Sequence, residues 1–78
     1  MSNKIVEVAF SSELRYHAVY RGYDGKILEW NDLDMMLSED AKQKLPEIIR
    51  KQLGCDGTAL FDQQEDAELV LKLLEEES

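Results

Sequence analysis

Hydrophobic positions in residues 15–30, RYHAVYRGYDGKILEW, fall into two β-prone runs on either side of Tyr23-Asp24-Gly25. Asp-Gly between such runs is a strong local hairpin signal. Side chains alternate across a strand, so a loop one residue longer or shorter swaps every facing. A two-residue loop, Asp24-Gly25, sets Tyr20 on a face with Ile27 and Glu29, and Leu28 on a face with Arg21, so neither face is clean. A three-residue loop, Tyr23-Asp24-Gly25, with Gly25 left-handed in a bulge, sorts the residues. One face then carries Tyr16, Ala18, Tyr20, Leu28 and Trp30, and the other His17, Val19, Arg21, Ile27 and Glu29. The pattern therefore predicts the three-residue loop. A helical pattern competes, with Ser12 as cap, Tyr16, Val19, Tyr20 and Tyr23 at i, i+3, i+4 and i+7, and Gly22 as terminator. Enrichment in aromatic and β-branched residues favours strands.

Residues 5–10 alternate in the same way, Val6, Val8 and Phe10 against Ile5, Glu7 and Ala9. A short connection at Ser12-Glu13-Leu14 pairs Phe10 with Tyr16, Val8 with Ala18 and Val6 with Tyr20. These join Leu28 and Trp30 in one apolar face, expected to be the core face. The reverse face, with Ile5, Val19 and Ile27 beside His17, Arg21 and Glu29, is too apolar for a solvated surface. It is expected to be covered or to meet a partner.

Downstream the period changes to that of helices. Residues 31–34 offer caps for a helix through Leu33, Met36, Leu37 and Ala41, while a rival reading makes Leu33, Met35 and Leu37 a strand. The main helix is predicted from Ser38 or Glu39 to Leu53, ended by Gly54, with Ala41, Leu45, Ile48, Ile49 and Leu53 as its buried stripe. Pro46 predicts a kink there, or a break with a second helix starting at Pro46. Cys55-Asp56-Gly57 reads as a turn and residues 58–61 as a short strand. Asp62 caps a last helix, with Glu65 as its capping-box partner. There Ala67, Leu69, Val70, Leu71, Leu73 and Leu74 span an arc of about 200°. That arc is wider than one sheet face needs: either the helix packs between the sheet and the other helix, or Leu69 and Leu73 reach beyond that contact to a partner. Glu75-Glu76-Glu77 set like charges at the negative end of the helix, so residues 75–78 are expected to form a frayed acidic tail.

The elements predict one α+β domain over residues 1–78. It is a three-stranded antiparallel β-meander, with room for a short fourth strand, packed on one face by two α-helices.

Composition narrows the classes of function. The 78 residues carry a net charge of −8. Residues 54–78 hold eight acidic groups against one basic, whereas residues 1–30 hold four of each. Nucleic-acid binding needs a basic footprint, so none is expected. The apolar run at the N-terminus is far too short to span a bilayer and contains Glu7, so no membrane segment or signal peptide is expected. A single cysteine, Cys55, allows no internal disulfide and fits a cytoplasmic home.

Candidate chemistry is thin. Cys55 and His17 are the sole thiol–imidazole pair, but nothing in the sequence joins them or lowers the thiol's pKa. The aspartates at 24, 32, 34 and 56 read as caps and turns, and an EF-hand loop from Asp32 fails at Met36 and Leu37. Cys55-Asp56-Gly57-Thr58 resembles the end of the Asp-x-Asp-Gly-Thr loop of haloacid-dehalogenase-type phosphatases, but Gly54 stands where the nucleophile belongs. No catalytic residue, metal or cofactor is therefore expected. The leading expectation is a non-enzymatic, self-associating interaction module that offers an acidic C-terminal helix to a protein partner, possibly a second copy. Its candidate surface is Ile5, Val19, Ile27, Tyr23, Glu65, Glu68, Leu69 and Leu73. The rival is a small enzyme, or an accessory subunit of one, using His17, Cys55 or the acidic turns.

Overall fold

In the computed structural model, which describes residues 3–9 and 14–77, two six-residue strands open the chain. β1 (Lys4–Ala9) and β2 (Arg15–Tyr20) pair antiparallel, with Lys4 opposite Tyr20 and Val8 opposite Tyr16. The register lies two residues from the expected one, and a two-residue slip leaves every facing unchanged. The expected Phe10 pairing and the connection through Ser12 and Glu13 lie outside the described residues, as does a Ser12 helix cap. Residues 15–20 are strand, as their aromatic and β-branched content argues.

The third strand comes from elsewhere in the chain than expected. β3 (Leu60–Phe61) pairs antiparallel with β2, Phe61 opposite His17 and Leu60 opposite Ala18, giving the sheet order β1-β2-β3. Residues 27–29 make only single bridges, Tyr20 to Ile27 and Glu29 to Thr58. The Leu28 N–H donates to the Val19 carbonyl at 2.8 Å, and the Leu28 carbonyl accepts from Ala59 N–H at 2.9 Å. Residues 27–29 thus fill a fork between the end of β2 and the approach to β3. The ribbon stops at α1 (Trp30–Met36), where the Asp32 carboxylate accepts from the Glu29 N–H at 2.9 Å.

The hairpin loop is four residues long, 22–25, rather than three. Arg21 N–H donates to the Lys26 carbonyl at 2.8 Å, and Tyr20 faces Ile27. Gly25 is left-handed (φ 74), as expected. The Asp24 carboxylate accepts from Lys26 N–H at 3.0 Å and lies 3.1 Å from Arg21 Nε. Arg21 also reaches Asp32 Oδ1 at 3.4 Å, which clamps the loop to the start of α1. This polar clamp sets the loop length, and side-chain sorting alone could not see it. Leu28 consequently shares a face with Val19 instead of Tyr20.

The covered face of the sheet is therefore the opposite of the expected one. α4 (Gln64–Glu77) packs on the sheet. Val19, Leu28 and Phe61 join Leu33, Leu37, Leu45, Ile49, Val70, Leu73 and Leu74 in a single core, with Ile5 packed against it. Val6, Val8, Tyr16 and Tyr20 lie on the outer face and are only partly buried. Tyrosine suits that position, because its hydroxyl can stay wet while its ring covers neighbours. Lys4 Nζ sits 5.1 Å from the Tyr20 ring centroid on the same face.

Among the described residues the result is an α+β fold, a three-stranded antiparallel sheet with its helices on one face and four helices in place of two. Residues 33–36 belong to α1, and no strand forms there. α2 (Glu39–Gln43) starts at Ser38, whose hydroxyl accepts from Ala41 N–H at 3.1 Å. Pro46 breaks the long helix, and its carbonyl accepts from Ile49 and Arg50 at 3.0 Å to start α3 (Glu47–Gln52). Gly54 follows in the left-handed region (φ 83). The restart at Pro46 changes the helical phase, so Ala41, Leu45 and Ile49 are buried while Ile48 is 69% exposed. α4 begins one residue later than an Asp62 cap implies, with Ala67 N–H donating to the Gln63 carbonyl at 3.4 Å.

Lys42 fastens α2 to α1 through Asp34 Oδ1 at 2.9 Å, with Glu39 Oε1 at 3.4 Å. The hydrogen bond that Lys42 donates to Asp34, helped by Glu39 and opposed by desolvation, raises the ammonium pKa above its ordinary 10.5. A raised lysine pKa stabilises the fold wherever the lysine is charged in both states, and that gain fades as pH climbs through the folded value. The stability advantage of the wild type over Lys42→Met should therefore be level up to about pH 10 and shrink above it. Paired thermal melts between pH 8 and 12 check this, and an advantage that grows with pH would contradict it.

Candidate functional site

Hydrogen-bond alternation leaves one side of the segment 57–61 open. Ala59 N–H and the Gly57 carbonyl point inward, bonded to Leu28 and Trp30 at 2.9 and 3.1 Å. Successive residues of an extended strand turn their main-chain groups to opposite sides. Thr58 and Leu60 therefore turn theirs outward, away from β2. Beside them lies an open groove of about 290 Å³. Its far wall is α3, through Ile48, Ile49 and Gln52. Its floor holds Trp30 and Phe61, whose rings meet edge to face at 5.2 Å and 71°. At the remaining end stand Tyr16, Asp62 and Asp66.

The local sequence explains each wall. The break at Pro46 throws Ile48 out of the core phase and onto the rim. The switch from strand to helix at Trp30 lays the indole under β3. Asp62, just ahead of α4, and Asp66, in its first turn, both line this end, where the helix dipole favours negative charge. Among the described residues the groove's ionisable lining includes carboxylates and the Tyr16 phenol but no lysine, arginine or histidine. The arrangement can hold an apolar or aromatic group on its floor, a cation at its acidic end and a strand against its edge.

The residues singled out from sequence do not gather into one surface. Val19 is fully buried and Leu73 is 2% exposed, so neither offers a face to a partner. Both fail for the same reason: the sheet turned its Val19 side inward, and that larger core absorbed the wide apolar arc of α4. Ile5 and Leu69 are partly buried against the same core. Ile27 lies across the sheet beside Tyr20. Tyr23 is 71% exposed on the loop, with the Arg21 guanidinium 6.0 Å from its ring centroid. Glu65 and Glu68 are exposed on α4, where Gln64 Nε2 donates to Glu68 Oε1 at 3.1 Å. Sequence reasoning missed the groove. Its one legible signal was Asp62, which was read only as a helix cap.

Cys55 is exposed after α3, with its thiol donating to the Lys51 carbonyl at 3.7 Å. His17 sits in mid-sheet between Glu7 and Phe61. No hydrogen bond joins the two among the described residues. Nor do three or more His, Cys, Asp or Glu residues gather there in a way that could hold a metal. No helix among the described residues is long and apolar enough to cross a membrane. Comparisons with protein-family models, curated proteins and solved structures find no match to this chain.

Proposed function

We propose that the protein is a small acidic interaction module that binds a segment of a partner protein in the groove beside β3, without catalysing a reaction. The observation that carries this reading is the groove itself, with an aromatic floor, an exposed isoleucine on its rim and a strand edge along one side. Concave apolar sites with a few polar groups are where ligands usually bind. Self-association through α4 loses its support, because Leu73 lies inside the core and Leu69 packs against it. A charge of −8 also opposes the approach of a second copy. The free thiol of Cys55 favours the reducing cytoplasm as its setting.

Ile48→Glu tests the role. The side chain is 69% exposed, so the variant should fold and melt as the wild type does. Peptides selected from a displayed library against the wild type should bind Ile48→Glu at least about tenfold more weakly, a loss of about 1.4 kcal/mol. Trp30 fluorescence in titrations reads the binding. Equal affinity for the two proteins would place the binding surface elsewhere and contradict the proposal.

A further inference from the structure

The proposed docking role leaves the chemistry of the occupant open, and the geometry narrows it. We infer that the groove takes an extended partner segment carrying a basic side chain: the segment adds to the free edge of β3 as a strand and sets its cation between Asp62 and Asp66. This inference rests on the docking role proposed above.

Three observations converge on it. The outward main-chain groups of Thr58 and Leu60 are the edge that a strand-adding peptide uses, and such edges give affinity through main-chain hydrogen bonds and selectivity through alternate side chains. The acidic end supplies two carboxylates with no lysine, arginine or histidine in the lining, so it complements a positive charge. Tyr16 at that end and Trp30 on the floor offer aromatic rings to a flat guanidinium, which favours arginine over lysine. The surrounding charge acts in the same direction, since residues 54–78 hold eight acidic groups against one basic. That charge would speed the encounter with a basic partner and slow it with an acidic one.

The test uses the full chain and two synthetic hexapeptides of alternating valine and threonine. One carries a central arginine. The other carries citrulline, which keeps the shape and loses the charge. Binding is followed by amide chemical shifts in the labelled protein. The arginine peptide should shift the Thr58 and Leu60 amides and the Trp30 indole, and at low salt should bind at least about tenfold tighter than the citrulline peptide. That preference should fall to within about twofold in Asp62→Asn/Asp66→Asn, and should shrink in the wild type as salt rises. Both aspartates keep contact with solvent, so the double variant should fold, and the salt series decides the matter if it does not. If both peptides shift Thr58 and Leu60 with equal affinity, the basic-group inference is overturned while the docking role stands. If neither peptide shifts them, or the shifts fall on another surface, strand addition and the groove's docking role fail together.

Discussion

Phe61→Ala is expected to lower stability by about 3–5 kcal/mol, the range for truncating a buried aromatic. Phe61 is 1% exposed, and its ring leans on Trp30 at 5.2 Å. It belongs to β3, so its ring is what ties the shortest strand to the helical core. The alanine would leave a cavity under β3 that the paired backbone cannot close, because Phe61 is held opposite His17. A domain of this size has a total stability of about 4–12 kcal/mol. The variant should therefore lose about a quarter or more of its stability, and from the low end of that range it would sit near its unfolding midpoint in dilute buffer. Urea denaturation followed by circular dichroism measures the shift. A loss below about 1 kcal/mol would mean that Phe61 does not pack as described.

Leu28→Ala is expected to cost about 2–5 kcal/mol, although Leu28 lies outside every regular strand. The side chain is fully buried at the fork, and its main chain bridges Val19 and Ala59 at 2.8 and 2.9 Å. Loss of the side chain should loosen both β2 and the approach to β3, so the effect should include weaker amide protection at Ala59. Its neighbour Ile27 is partly buried on the outer face, and Ile27→Ala should cost well under half as much. The same urea experiment on both variants compares them. A larger loss for Ile27→Ala would reverse the assigned facing of residues 27–29.

That facing marks the limit of what the pattern of residues could reveal. The first two strands, the helix start at Ser38 or Glu39, the interruption at Pro46, the Gly54 terminator and the strand near 60 follow from local chemistry, and local chemistry is legible. The choice between the two sheet faces is not local. Val6, Val8, Tyr16 and Tyr20 make as apolar a set as Ile5, Val19, Leu28 and Phe61, and alternation cannot say which set turns inward. The choice turned on the loop, where Arg21 pairs with Asp24 and with the distant Asp32, closing four residues where sorting favoured three. The one error propagated. It placed Trp30 in a strand, made Val19 a surface residue and left the leucines of α4 in search of a partner. The groove was hidden for a related reason, since its walls come from α3, β3, Trp30 and the start of α4, which meet only once the chain has folded.

The covered face is tested most directly by a pair of equal substitutions on β1 and β2, Val6→Thr and Val19→Thr. Each exchanges a methyl group for a hydroxyl of nearly the same size, so the change in stability reports whether that group is dry. Urea midpoints should show Val19→Thr less stable by about 1–3 kcal/mol and Val6→Thr within about 0.5 kcal/mol of the wild type. The reverse order, with Val6→Thr the damaging change, would put the helices on the Tyr16 and Tyr20 side of the sheet and remove the groove beside β3 as drawn.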